Sequence, residues 1–230
     1  MLKRELLIFG SEGALGKGVT KVMREKDFDK INLFDLHFDN IHPENKTVKF
    51  LTKDLSKEEN VIAALGNIKP DKNTLYFLFS TIGGFYGGQT LWETNYEDLE
   101  RMLSLNFISN FLIAKHFSWI VKLSGGGSMC FTSAFTADNP EELKAIYGAS
   151  KSALSYMVKV LAKEGSRINL SVNAIAPFII DTAANRKWMP EADFSKWIKT
   201  EEIGQLVYSI FKNFNYVSGN ILTLKDRFNV

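Results

Sequence analysis

The chain has 230 residues, enough for one domain with a substantial core, and no linker, repeat or low-complexity run divides it. Lys and Arg number 28 against 26 Asp and Glu, a formal net charge of +2, which argues against nucleic acid or an anionic membrane surface as a partner. No run reaches the roughly 18 uninterrupted apolar residues of a membrane helix, Cys130 has no disulfide partner, and Met1-Leu-Lys-Arg-Glu5 opens no signal peptide, which together read as a cytoplasmic protein.

Seven short β-rich runs alternate with helical patterns. The first, Leu6 to Phe9, runs into a glycine loop and a helix that opens near Ala14. Ile31 to Phe34, Thr47 to Leu51 and Leu75 to Ser80 follow, then a long helical stretch from about Tyr96 to Leu123. Ser128 to Thr132, a second long helix near Ala145 to Lys163, Leu170 to Ile175 and Ile221 to Leu224 complete the series. Most of the β runs are unbroken apolar stretches, as strands require when both faces of a sheet are covered. They predict an α/β fold with a doubly wound, seven-stranded parallel sheet of the Rossmann type, one domain over residues 1–230. The long helix is apolar almost all round between Leu105 and Val121, more than one sheet-facing stripe needs. The next carries Ala149, Ser150, Ser152, Ala153 and Ser155, small residues that let another helix come close. A homodimer or homotetramer built on these helices is the expectation, with dense packing inside one chain as the alternative.

The chemistry starts at Gly10-Ser-Glu-Gly13-Ala14-Leu15-Gly16, between the first strand and its helix. Glycines there allow a tight turn, close backbone approach to a pyrophosphate and close helix-on-strand packing, while the helix N-terminus offers free N–H groups to phosphates. Asp35 ends the second strand about 20 residues on, placed to accept from an adenosine ribose 2′-hydroxyl and to repel a 2′-phosphate. NADH is therefore expected to be preferred, with NADPH possible; an Asp that simply ends a strand is the plainer reading. Further along stands Tyr147-Gly-Ala-Ser-Lys151. Residues four apart share a helix face, so the Lys151 ammonium beside the Tyr147 phenol is expected to favour its ionised form and lower a pKa normally about 10. Such a pair alone is usually ordinary surface chemistry, but downstream of a dinucleotide loop it points to hydride transfer. His37, His42 and His116 are too scattered to suggest a metal site.

In this order the motifs resemble the short-chain dehydrogenase/reductase family over nearly the whole chain. Asp54-Leu55 is similar to the family's adenine-contacting Asp, Ile82-Gly83-Gly84 occupies its Asn-Ala-Gly position, and Asn106 lies where it keeps a catalytic Asn. Asn173-Ala-Ile-Ala-Pro177-Phe-Ile-Ile180-Asp-Thr182 resembles the Pro-Gly-x-Ile-x-Thr segment that contacts the nicotinamide carboxamide, with Phe178 replacing Gly. The resemblance implies an NAD(P)H-dependent oxidoreductase acting on a small molecule, with Tyr147, Lys151, Asn106 and Ser133 as catalytic candidates.

Two departures narrow it. Ala134 stands thirteen residues before Tyr147, where most members keep a catalytic Ser, and Ala14 stands where the glycine loop usually has Gly. Both resemble the dihydropteridine reductases of the family, as do Gly83-Gly84-Phe-Tyr-Gly87-Gly88 and the segment from Asp181 to Trp197, with its Met189-Pro-Glu-Ala-Asp-Phe-Ser195. Reducing an isolated carbonyl builds an alkoxide that needs a donor beyond the Tyr, whereas a quinonoid dihydropterin spreads the charge over a conjugated ring. On that reading Tyr147, or a water it holds, supplies the proton, Lys151 binds the nicotinamide ribose and Asn106 holds a relay water. Phe178, Trp188 and Trp197 are candidate flat surfaces for the ring, with core packing expected of at least one. Asn106, and Ser133 if the strand end shifts, favour a general carbonyl or enone reductase instead. A non-enzymatic dinucleotide sensor is the third reading, against which the intact Tyr147 and Lys151 count.

Overall fold

The computed structural model of the chain describes residues 2–42 and 45–228. Seven parallel strands form one sheet: β1 (Lys3–Phe9), β2 (Lys30–Asp35), β3 (Thr47–Leu51), β4 (Thr74–Ser80), β5 (Gly127–Thr132), β6 (Leu170–Pro177) and β9 (Ile221–Leu224). Their order is β3-β2-β1-β4-β5-β6-β9. All seven coincide with the β-rich runs of the sequence to within three residues at either end, the largest difference being at the start of β1.

Both faces of the sheet are buried, which is why the strands lack polar alternation. On β1, Leu7 and Phe9 enter one core with Val61 of α2 (Glu58–Leu65), Phe117 of α4 (Ser109–Lys122) and Leu154 of α5 (Ala145–Gly165). Leu6 and Ile8 enter the opposite core with Val19 of α1 (Ala14–Met23) and Ile203 and Phe211 of α7 (Thr200–Lys212). A period of two therefore splits one apolar run between two cores. Across the first three strands Phe9, Phe34 and Phe50 stack with ring centroids 4.4 and 5.0 Å apart, adding aromatic contact to the strand register.

The chain leaves β1 toward β2 and β3, then returns to place β4 on the other side of β1. At that reversal the loops after β1 and β4 diverge and leave a crevice at the carboxyl ends of the strands.

Two features depart from the sequence reading. The stretch predicted as one helix is α3 (Tyr96–Leu103) and α4 joined through a wider π turn at Ser104–Ile108. A π turn adds a residue without breaking the apolar pattern, so periodicity does not reveal it. Beside the main sheet, β7 (Ile180–Asp181) pairs with β8 (Ile198–Lys199), flanking α6 (Ala183–Trp188). Strands of two residues are too short to show a period. Among the described residues no helix is long and apolar enough to cross a membrane.

Candidate active site

The glycine loop is held by main-chain contacts. Gly10 N–H donates to the Phe34 carbonyl at 2.9 Å, and Thr81 Oγ1 donates to the Gly10 carbonyl at 2.8 Å, which ties β1, β2 and β4 together at the crevice. Gly10 has φ +77°, and a Cβ there would lie 2.3 Å from Thr81 Oγ1. A Cβ at Gly16 would lie 2.1 Å from the Gly10 carbonyl oxygen. Gly13 differs, because its nearest neighbour would be 3.5 Å away. Gly13 and Ala14 are exposed at the start of α1, which has neither a side-chain cap nor an acidic residue in its first turn. The open N–H groups suit an anion such as a dinucleotide pyrophosphate. Leu15 is buried and also reaches the cavity described below. Asp35 is fixed from two sides: its Oδ2 accepts from Glu12 N–H at 2.8 Å and its Oδ1 from Leu36 N–H at 2.7 Å. The glycine loop thus also holds the carboxylate at its rim.

Asp54 and Leu55 follow β3. Asp54 accepts from the backbone and hydroxyl of Ser56, and Leu55 packs into the core beside α2. Neither borders the cavity.

After β4, a ladder of buried amides shapes the loop. Asn106 Oδ1 accepts from Gly84 N–H at 2.9 Å, and its Nδ2 donates to the Gly84 carbonyl at 3.0 Å and to Ser150 Oγ at 3.1 Å. One turn on, Asn110 accepts from Ser80 Oγ at 2.6 Å and donates to the carbonyls of Ile82 and Asn106. Ser150 donates to the Tyr147 carbonyl at 2.8 Å, so one network joins the loop to the helix carrying Tyr147. The Asn106 side chain is consumed in this clamp. Its side-chain oxygen and nitrogen both have protein partners, so Asn106 positions the Gly83–Gly84 loop against α5. Gly83 must be Gly here: a Cβ would lie 2.6 Å from Asn106 Oδ1 and 2.8 Å from Lys151 Nζ.

Tyr147 and Lys151 lie on α5, facing a cavity of about 640 Å³. Lys151 is buried, and its Nζ donates to the Thr132 carbonyl at 2.8 Å. Burial lowers its pKa to about 8. Burial, reinforced by Glu141, pushes the Tyr147 phenol up to about 12. The expected lowering of the phenol is therefore corrected. In the protein alone burial dominates, and the Lys151 ammonium is directed at the Thr132 carbonyl.

Ser133 is also corrected. Although it borders the cavity, its Oγ pairs with Ser155 Oγ at 2.7 Å and with the Lys151 carbonyl at 3.3 Å, turning it into α5. Ala134 borders the cavity instead, so no serine hydroxyl stands free beside Tyr147.

Much of the remaining wall is apolar and aromatic, with Thr136, Glu141 and Lys144 as polar members. The Phe85 ring packs edge-on against Tyr147 at 5.0 Å and against Trp188 at 5.5 Å, and Phe135 meets Phe178 at 5.2 Å. Pro177, Ile180 and Met189 also border the cavity. Trp197 does not, being 4% exposed and packed on Phe194. Thr182 caps α6 by accepting from Asn185 N–H at 3.2 Å, and a bidentate pair of Arg186 with Asp181 holds the same turn.

Thr81, Asn110 and the pair Glu141–Lys144 escape sequence reasoning, while Phe85 entered it only as part of the Gly83–Gly88 motif. Only Asn110 had a signal: it repeats Asn106 at helical spacing inside an otherwise apolar stretch. Among the described residues no group of three or more His, Cys, Asp or Glu gathers where it could hold a metal ion.

The family model for short chain dehydrogenase matches residues 4–193. Dihydropteridine reductase of Dictyostelium discoideum is 27% identical over 209 residues, 90% of this chain and 87% of its own. Carbonyl reductase family member 4 of Xenopus laevis is 26% identical over 231 residues, 94% of each chain. Among solved structures, ElxO with NADP bound has a TM-score of 0.81 at 20% identity over 97% of both chains, a likeness of fold. With the glycine loop, the Tyr147–Lys151 helix and this match over most of its length, the chain belongs to the short-chain dehydrogenase family and is an NAD(P)H-dependent oxidoreductase.

Proposed function

We propose that the protein uses NADH to reduce a quinonoid dihydropterin or a similar conjugated ring. The observation that carries this reading is the cavity wall at Ala134. The usual second hydroxyl is absent, Ser133 is turned into α5, and the space beside Tyr147 is bounded by Phe85, Phe178 and Trp188. Such a site holds a flat ring and leaves Tyr147 as the proton donor. It lacks the serine hydroxyl beside Tyr147 that commonly serves an isolated carbonyl as negative charge builds on its oxygen. At neutral pH the Tyr147 phenol keeps its proton, ready for transfer, and Lys151 stays largely charged, placed to hold the nicotinamide ribose. When bound, the nicotinamide supplies the hydride. The Asn106 clamp fixes Gly83 and Gly84, which would lie beside a bound nicotinamide.

A carbonyl or enone reductase is the second reading, favoured by Asn106 and by the comparable similarity to carbonyl reductase family member 4. Steady-state rates decide between them. Dihydropterin turnover far above that of simple ketones and aldehydes is expected, and the reverse order moves the assignment to the second reading.

The preference for NADH rests on Asp35, whose carboxylate is fixed at the rim by Glu12 and Leu36 N–H groups and would face a 2′-phosphate. Fluorescence titration should show NADH binding more tightly than NADPH, with Asp35→Ser narrowing the gap; equal affinities in the unaltered protein would refute it.

A dimer through α4 and α5 is supported by apolar side chains left open on those helices: Phe111 is 46% exposed, Trp119 56% and Tyr156 72%. Light scattering at micromolar concentration should give twice the chain mass or a higher multiple, and a clean monomer would refute the assembly.

A further inference from the structure

Two polar groups in residues of the cavity wall have no partner. Glu141 pairs Oε2 with Lys144 Nζ at 2.6 Å, but its Oε1 is buried and makes no hydrogen bond. Thr136 is 8% exposed, and its Oγ1 is likewise buried without a partner. Both residues border the same cavity as Tyr147, Phe85 and Trp188, while the two oxygens themselves are closed off from it, so a ligand meets them once the side chains turn toward the cavity. Asp193 is satisfied locally, by the backbone and hydroxyl of Ser195. Glu141 is not. A buried carboxylate oxygen left unpaired is a marked deficit, relieved only when something brings it a donor.

The chemistry of that donor follows from the walls. An ionised carboxylate only accepts, whereas a hydroxyl both donates and accepts. The surrounding rings favour a flat ligand. A heterocycle with adjacent N–H groups, as in a cyclic amidine or guanidine edge, presents donors to Glu141 and an acceptor to Thr136 while its rings lie along Phe85 and Trp188. A simple ketone brings no donor and leaves Glu141 unpaired. Glu141 also acts through space on the Tyr147 phenol, so a ring held at this carboxylate lies close to the proton donor.

We propose that Glu141, assisted by Thr136, is the specificity-determining anchor of the cavity, selecting flat heterocycles with paired N–H donors over carbonyl compounds that have none. The proposal deepens the dihydropterin reading, since the 2-amino group and ring N–H of a pterin form such an edge.

Calorimetric titration of the NAD⁺-saturated protein with two non-reducible probes tests it. Pterin (2-amino-4-oxopteridine) should bind at least tenfold more tightly than 4-oxopteridine, which lacks the amino group, as expected for a charge-assisted hydrogen bond. Glu141→Ala and the gentler Glu141→Gln should both shrink that ratio, and should raise KM for a dihydropterin more than they lower kcat. Equal binding of the probes by the unaltered protein, no binding of either, or an unchanged ratio in both variants would overturn the anchor. The outcome is separable from the substrate reading. Preserved dihydropterin turnover with an unchanged probe ratio in both variants sinks the anchor alone. A tenfold preference for pterin, lost in the variants, in a protein that turns over no dihydropterin supports the anchor and sinks the substrate assignment.

Discussion

At the β1 and β2 ends of the crevice the holding groups are main-chain atoms, whereas at the β5 and β6 ends they are side chains. Gly10, Gly13 and Gly16 shape the first region by what they lack, and its contacts run between consecutive residues or neighbouring strands. The second draws Phe85, Ala134, Glu141, Tyr147, Phe178 and Trp188 from loops and helices spread over about half the chain. A backbone cradle suits a ligand part that is the same throughout a family, such as a pyrophosphate. A wall of side chains changes with single substitutions, and the substrate it takes can change with it.

The sharpest way to break this division is to remove the one group that both regions serve. Tyr147→Phe should lower turnover about a hundredfold or more, as expected for loss of a general acid, while NADH affinity stays close to that of the parent. Lys151→Ala should reduce both turnover and affinity, because Lys151 stands against Gly83 where the regions meet. Stopped-flow rates with parallel fluorescence titrations check the pair. Wild-type turnover in the Phe variant would place the acid elsewhere.

Within the cradle, two glycines should behave differently. Gly16→Ala puts a Cβ into the Gly10 carbonyl, so we expect a loss of about 2–3 kcal/mol of stability from overpacking along with weaker cofactor binding. Gly13→Ala meets nothing closer than 3.5 Å in the protein, so its stability should stay within about 0.5 kcal/mol while NADH binding weakens. Denaturant unfolding and cofactor titration on both variants separate protein packing from ligand approach. Equal stability losses would show that Gly13 serves the fold and not a pyrophosphate.

The same contrast explains what could be read in advance. The seven strands, the glycine loop, Asp35 and the Tyr147–Lys151 pair are local patterns, each contained in a short stretch with its own period or spacing. The fate of a polar side chain is not local. Ser133 looked able to replace the missing hydroxyl until Ser155, 22 residues away, claimed its Oγ. Asn106 is legible as part of the helical stretch, but it sits in the π turn between α3 and α4, and its role depends on Gly84 and Ser150 reaching it from two other elements. The direction of the Tyr147 shift failed for a related reason: spacing brings a cation near, and burial is decided by everything else packed around the phenol.

Burial at the junction of the two regions has a consequence for stability. Lys151 has its pKa lowered to about 8 by desolvation, so its charged form is penalised in the folded state and not in the unfolded one. The penalty is complete below pH 8, shrinks as the folded protein releases that proton while the unfolded chain retains it, and is gone above the ordinary lysine value of about 10.4. Lys151→Met removes the charge but keeps an unbranched stem, at the cost of the hydrogen bond to Thr132. We expect the variant to be inactive yet about 1–2 kcal/mol more stable near pH 7, with the advantage shrinking between pH 8 and 10. Tyr147 is common to both proteins, so its own alkaline titration largely cancels in the difference. Urea unfolding at pH 7, 8, 9 and 10 measures that difference directly. A gap that stays constant or widens with pH would mean that Lys151 is not held at a desolvation cost, and that the junction is as well solvated as the open start of α1.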